Sequence, residues 1–327
     1  MKILQVLHGE NYSGMEKACI DLTNELAIRN NKIYFMGSVA FKDKLDKKVN
    51  FIEINIKKSR NNIFFLFSIL REVKKISPDI VHLHKQKSIQ IFNRINSFLN
   101  IPLIATKHDT QNKKAFLGLK YCITISDDVT KTIKADNIYK IYNGIEYKEP
   151  RNIDMPKDRF NIVAIGGLRK VKGYDNLIKS CSDLSFDYHL TIIGEGEERK
   201  NLEALISSLK LENRVSLIGF KSNINDFLFS SDLQVISSLS EGFSLAMIEG
   251  VFYSKVLIST PVSGCTEILT KKLLSDKDLL DLKINDTYNN YESYKEEFKK
   301  IKSLKNKFTI ECCAKEHLKV YETIIQE

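Results

Sequence analysis

Residues 161–174 read Asn161-Ile162-Val163-Ala164-Ile165-Gly166-Gly167-Leu168-Arg169-Lys170-Val171-Lys172-Gly173-Tyr174. The apolar run suits a short buried strand, the glycines after it permit a tight turn, and a helical pattern starts at Tyr174. A strand, a glycine turn and a helix make up the repeating unit of a parallel α/β sheet. Glycines allow close backbone approach by a ligand, Arg169 offers a planar fork and Lys172 a point charge, a set that suits a diphosphate.

Outward from this stretch the plan repeats. His189–Ile193, Val215–Ile218, Leu233–Ile236 and Val256–Ser259 read as strands. Helical segments at Glu197–Leu209, Ile224–Phe229 and Phe243–Phe252 separate them. The first half alternates in the same way, with strands at Ile3–Leu7, Ile33–Met36, Phe51–Ile54, Ile80–Leu83, Leu103–Thr106, Cys122–Ile125 and Ile138–Tyr142. Short buried strands alternating with helices predict α/β domains with parallel sheets covered on both faces. Asn143-Gly144 and the polar Glu149-Pro150-Arg151-Asn152 mark a boundary between two domains of similar size. The segment from Lys271 loses its strands and ends in a helix-like stretch, Ile310–Ile325.

With 327 residues, 43% hydrophobic and 28% charged, the composition is globular and excludes collagen, low-complexity disorder and a disulfide miniprotein. No apolar run is long enough to span a bilayer, and the N-terminus has no signal-peptide pattern, so a cytoplasmic protein is expected. Its six cysteines include no CxxC pair and read as buried free thiols. Residues 1–150 carry 25 Lys and Arg against 15 Asp and Glu, whereas residues 151–327 carry 25 against 26. The basic excess therefore belongs wholly to the first half, which either is simply solvated or faces something anionic.

Several motifs fall after strands, where open parallel sheets bind ligands. The first strand runs into His8-Gly9-Glu10-Asn11-Tyr12-Ser13-Gly14 before a helix, and Gly14 is singled out there. No GxGxxG is present, which argues against a dinucleotide enzyme. His84 and His108 each follow a strand, and His108 is preferred because Asp109 adjoins it. Gly194-Glu195-Gly196 precedes a helix. Ser240-Glu241-Gly242-Phe243-Ser244-Leu245 leads into the helix carrying Glu249. The amides of Phe243, Ser244 and Leu245 suit an oxyanion, and a charged Glu249 in an otherwise apolar helix requires a partner.

In this order, Gly-Gly-Leu-Arg-x-x-Lys-Gly, Gly-x-Gly and Glu-x7-Glu resemble retaining glycosyltransferases of family 4, over about residues 1–270. The resemblance implies the GT-B fold, two Rossmann-like parallel-sheet domains facing a cleft. The expected divisions are an acceptor domain over 1–149, a nucleotide-sugar donor domain over 150–305, and a terminal helix over 306–327 crossing back to the first. It also implies roles. Arg169 and Lys172 hold the donor diphosphate, with the Phe243, Ser244 and Leu245 amides as its cradle. Glu249 takes the ribose, Glu241 lies near the transferred sugar, and Gly14 and Glu195 border the donor. His108 lies near the sugar's hydroxymethyl side and the reacting centre. No metal cofactor is expected, and the donor is expected to be a UDP-sugar. One departure is Ser263-Gly264-Cys265-Thr266-Glu267, which has one glycine where the family has two.

On the acceptor side, Lys57, Lys58 and Arg60 flank the aromatic stretch containing Phe64 and Phe65. This segment is either a face for an anionic inner-leaflet surface, suited to a lipid-linked glycan acceptor in bacterial surface polysaccharide or lipopolysaccharide assembly, or a buried helix with basic ends. The competing functions are a UDP-sugar epimerase of the same fold and a non-catalytic nucleotide-sugar or nucleic-acid binder. No recognition helix or basic-aromatic interleaving supports nucleic acid.

Overall fold

A computed structural model describes residues 1–29, 31–111 and 114–327. In chain order the elements are β1 (Lys2–Leu7), α1 (Gly14–Ile28), β2 (Lys32–Gly37), β3 (Asn50–Glu53), α2 (Ile63–Ile76), β4 (Ile80–His84), α3 (Lys85–Ile95), β5 (Leu103–Lys107), β6 (Tyr121–Thr124), α4 (Asp127–Lys131) and β7 (Asn137–Lys140). They continue with β8 (Phe160–Ile165), α5 (Tyr174–Ser182), β9 (Tyr188–Ile193), α6 (Arg199–Ser208), β10 (Val215–Leu217), α7 (Ile224–Ser230), β11 (Leu233–Ile236), α8 (Leu245–Tyr253), β12 (Leu257–Ser259), α9 (Cys265–Ile268), α10 (Leu280–Asn289), α11 (Tyr291–Lys302) and α12 (Ile310–Gln326). The chain forms two compact units, residues 1–146 with 307–327, and residues 147–306.

The first unit holds a seven-stranded sheet ordered β3-β2-β1-β4-β5-β6-β7, with every pairing parallel. One face is covered by α2 and α3 through Phe65, Ile69, Val73, Ile89 and Phe92. The other face is covered by α1 and α12. The terminal helix returns to this sheet because Ile310, Cys313, Ala314, His317, Tyr321 and Ile324 form one stripe at helical spacing, all buried.

The second unit holds a five-stranded parallel sheet ordered β10-β9-β8-β11-β12. Its strands are buried along most of their length, as expected of a parallel sheet flanked by helices. Helix α8 supplies Met247, Ile248 and Val251 to the core and is apolar almost throughout, so it forms by burial rather than by charge patterning. The segment from Lys271 completes the unit with α10 and α11, which bury Ile284 and Phe298.

Candidate active site

Strand order reverses between β8 and β11 in the second unit, and a crevice beyond their carboxyl ends is the expected ligand site of such a sheet. The turn after β8 carries Gly166 to Arg169, then a single 3-10 turn over Lys170–Lys172, and Gly173 at φ 62° before α5. The turn after β11 carries Ser237 to Glu241. Hydrogen bonds lock the two together. Leu239 N donates to Val171 O (2.8 Å) and Ser237 Oγ to Lys172 O (2.9 Å). A side chain on Gly173 would strike the Ser237 carbonyl. At the end of this clamp Lys172 Nζ reaches Glu241 Oε1 at 2.5 Å, and Ser238 Oγ donates to the same oxygen at 2.7 Å. Both charged side chains are mostly buried, with 14% and 13% of their area exposed. Arg169 lies at the surface, with no ion pair among the described residues.

Tyr174 was not singled out in the sequence. Its ring is buried, its hydroxyl has no hydrogen-bond partner among the described residues, and burial pushes its pKa up. Gly166, at φ 152°, passes so close that a Cβ there would lie 2.8 Å from this hydroxyl and 3.3 Å from Lys172 Cε. The sequence signal for Tyr174 was only its place at the start of an apolar helix face, which does not set a hydroxyl apart from a core ring.

Helix α8 begins one turn beyond Glu241. Ser244 caps it, accepting from Met247 N at 3.3 Å, so the helix starts two residues later than its apolar pattern suggests. The amides of Leu245 and Ala246 have no acceptor within the helix, and their partial positive charge faces the turn. Glu249 is buried and lies four residues beyond Leu245 on the same face, where helical side chains lean toward the N-terminus. Phe243 is buried against Gly264, which sits at φ 81° and where a Cβ would fall on the phenyl ring. Ser263 Oγ donates to Gly242 O at 2.9 Å. The single glycine kept in the Ser263–Glu267 stretch is thus the one that the Phe243 contact requires.

Glu195 is exposed and held by Arg199 at 2.6 and 2.9 Å, which keeps its carboxyl below the usual range. Its glycine neighbours have a packing role. A side chain at Gly194 would meet the Gly166 carbonyl and one at Gly196 the Leu168 carbonyl, so both serve the close approach of the β8 and β9 turns.

In the first unit strand order reverses between β1 and β4. In the turn after β1 the positive φ falls on Gly9 (143°), while Gly14 is the exposed first residue of α1. Ser13 and Glu16 form a capping box, and buried Glu16 also pairs with Lys85, whose own φ is 67°. His108 follows β5 and its Nε2 faces His84 Nδ1 at 3.2 Å. The two rings line a small pocket with Thr106, Asn143, Cys313 and His317. Burial holds the His84 pKa well below 6.5 and brings that of His317 down to about 4. Asp109, the reason for preferring His108 in the sequence, accepts from Lys107 Nζ through its backbone carbonyl at 2.5 Å.

The aromatic segment is helix α2, and it corrects one expectation. Phe65 does not belong to the surface; it is buried in the core, 7% exposed, together with Ile69, Val73 and Ile76. Phe64 is 88% exposed, and Ile63 and Phe67, not foreseen in the sequence, stand out beside it at 78% and 67%. Lys57, Lys58 and Arg60 are exposed just before the helix, and Arg71, Lys74 and Lys75 along it.

Two parallel sheets flanked by helices, with the Lys172–Glu241 pair, Arg169 and the N-terminus of α8 gathered beyond the switch point of the second, define an α/β protein with its charged groups at that sheet edge. Residues 146–305 match the family described as Glycosyl transferases group 1, and residues 12–149 match Glycosyltransferase Family 4. An uncharacterized glycosyltransferase of Methanocaldococcus jannaschii is 30% identical over 305 residues, covering 76% of this chain and 74% of that protein. The chain belongs to glycosyltransferase family 4, with the GT-B fold, and is a transferase. A Campylobacter jejuni N-acetylgalactosamine-N,N'-diacetylbacillosaminyl-diphospho-undecaprenol 4-alpha-N-acetylgalactosaminyltransferase is 36% identical over 113 residues, 34% of this chain and 31% of that enzyme. The crystal structure of Anabaena HepE in complex with UDP superposes with a TM-score of 0.84 at 18% identity, covering 99% of this chain and all of that one. Among the described residues no helix is long and apolar enough to cross a membrane.

Proposed function

We propose that the protein moves a hexose-type sugar, with retention, from a UDP-sugar to a glycan or lipid-linked glycan acceptor in bacterial surface polysaccharide or lipopolysaccharide assembly. The observation that carries this reading is the Lys172–Glu241 pair at the β8/β11 switch point, with Arg169 before it and the α8 terminus beyond it. A departing nucleoside diphosphate gains negative charge as the glycosidic bond breaks. Arg169, Lys172 and the Leu245 amide end of α8 supply positive charge where it develops, so the transfer is proposed to run without a metal. Glu249 accepts from the ribose hydroxyls, Glu241 meets the transferred sugar, and His108 meets the sugar's hydroxymethyl side. The UDP in the HepE complex and the lipid-diphosphate acceptor in the Campylobacter enzyme's name support the donor and acceptor classes.

The acceptor surface is α2. Ile63, Phe64 and Phe67 beside Lys57, Lys58, Arg60 and Arg71 form an apolar spot rimmed by cations, a surface suited to an anionic leaflet. We place the enzyme on the cytoplasmic face of the plasma membrane.

The test is a thermal-shift series with UDP, GDP, ADP, CMP and NAD, EDTA being present throughout. UDP alone should raise Tm, by an amount reflecting about 2.7 kcal/mol at a hundredfold excess over Kd. No shift with any nucleotide would overturn the reading. A shift with another diphosphate would replace UDP as the donor base.

A further inference from the structure

Resting on the reading of His108 as a residue at the reacting sugar, we propose that Gln5 and His84 are positioning residues that set which nitrogen of His108 carries its proton. Gln5 is fully buried on β1, and its Oε1 lies 2.8 Å from His84 Nε2. An amide oxygen only accepts, so His84 Nε2 carries a proton and donates it. A neutral imidazole has one proton, so His84 Nδ1 is an acceptor. It faces His108 Nε2 at 3.2 Å, and that nitrogen must donate. In its neutral form His108 therefore carries its proton on Nε2, and its Nδ1 is the accepting atom. An imidazole in this state accepts from a sugar hydroxyl but not from another lone pair.

The other side of Gln5 continues the chain. Gln5 Nε2 donates to Tyr321 Oη at 3.3 Å. The proposed direction continues from the Tyr321 hydroxyl to His82 Nδ1, 2.6 Å apart, and from His82 Nε2 to Thr106 Oγ1, also 2.6 Å apart. Gln5, His82, His84 and Tyr321 are all buried, and burial keeps both imidazoles neutral near pH 7. Reversing any one member alone would set two donors or two lone pairs against each other among fully buried side chains. Tyr321 belongs to α12, so the terminal helix is part of the device that orients His108.

The experiment uses full-length protein labelled with ¹⁵N-histidine. Long-range ¹H–¹⁵N spectra report the protonated nitrogen of each ring, and His108→Gln identifies the His108 signals. Both His84 and His108 should be Nε2-protonated in the wild type. Gln5→Leu removes the acceptor and should mix both tautomers, whereas Gln5→Glu keeps an accepting oxygen toward His84 Nε2 and should restore the His84 and His108 tautomers while losing the donation to Tyr321. With UDP-glucose hydrolysis as the turnover probe, Gln5→Leu should lower kcat roughly tenfold with KM within about twofold, and Gln5→Glu should recover most of it. Nδ1-protonated His108 in the wild type, or unchanged tautomers in Gln5→Leu, would overturn the proposal. If Gln5→Leu does not fold, Tyr321→Phe frees the Gln5 amide and decides in its place. Shifted tautomers with undiminished hydrolysis would overturn the catalytic role. A wild type that binds no UDP would overturn the functional reading, and the tautomer result would still decide the relay.

Discussion

Lys172 Nζ lies 2.5 Å from Glu241 Oε1, and the two residues arrive from opposite sides of the point where strand order reverses in the second sheet. The cation proposed for the diphosphate and the acid proposed for the sugar therefore hold each other before any ligand arrives. The Ser238 hydroxyl shares the same carboxylate oxygen and fixes its direction.

The pair should be energetically coupled. Lys172→Ala leaves a mostly buried carboxylate without its counter-charge, held among the described residues only by the Ser238 hydroxyl, and should cost about 1–3 kcal/mol of stability besides weakening UDP binding. Glu241→Gln should retain UDP affinity and lose transfer. In a double-mutant cycle of denaturant melts, Lys172→Ala with Glu241→Ala should cost less than the two single changes added. Strict additivity would mean that the contact contributes nothing.

Tyr174→Phe should stabilise the unliganded protein, by about 1 kcal/mol. The buried hydroxyl has no hydrogen-bond partner among the described residues, and its removal relieves a desolvation cost. Urea melts of the two proteins check this; a loss of stability would mean that the hydroxyl is satisfied within the apoprotein.

The buried histidines predict an acid-side loss of stability. His317 falls from 6.5 to about 4 on folding because burial disfavours its charged form, and His82 and His84 also lie well below 6.5. Below pH 6.5 the unfolded chain takes up protons that the folded chain refuses. Stability should therefore be flat above about pH 7 and fall as pH drops from 6.5 toward 4, with His317 alone accounting for about 3 kcal/mol. Melts of the wild type and His317→Gln from pH 4 to 8 measure the contribution, and equal slopes would assign it elsewhere.

Helix α2 separates two neighbouring phenylalanines. Phe65→Ser should cost about 3–5 kcal/mol, because the ring is in the core. Phe64→Ser with Phe67→Ser should change stability by about 0.5 kcal/mol or less yet reduce co-sedimentation with vesicles containing anionic lipid. Unchanged sedimentation would remove α2 as the membrane face.

Apolar residues stand at 63, 64, 65 and 67, so the helix is apolar on more than one side in its first turns, and its phase relative to the sheet cannot be read locally. For His108 the signal in the sequence is the adjoining Asp109, whose backbone carbonyl accepts from Lys107. The contact that defines its chemistry is with His84, 24 residues away.

The two parallel sheets, all twelve strands of the described residues, and the cations and acids at the ends of the second sheet are legible in the local sequence. Strand, glycine turn and helix are written in local periodicity, and the turn after a parallel strand must lie at the sheet's carboxyl edge. Tertiary structure alone decided the partners. Lys172 meets Glu241 across 69 residues, and Gln5 meets Tyr321 across 316. Such meetings depend on strand order and on where the terminal helix packs. Both are set by long-range burial, and a period of two or of 3.6 residues carries no record of either.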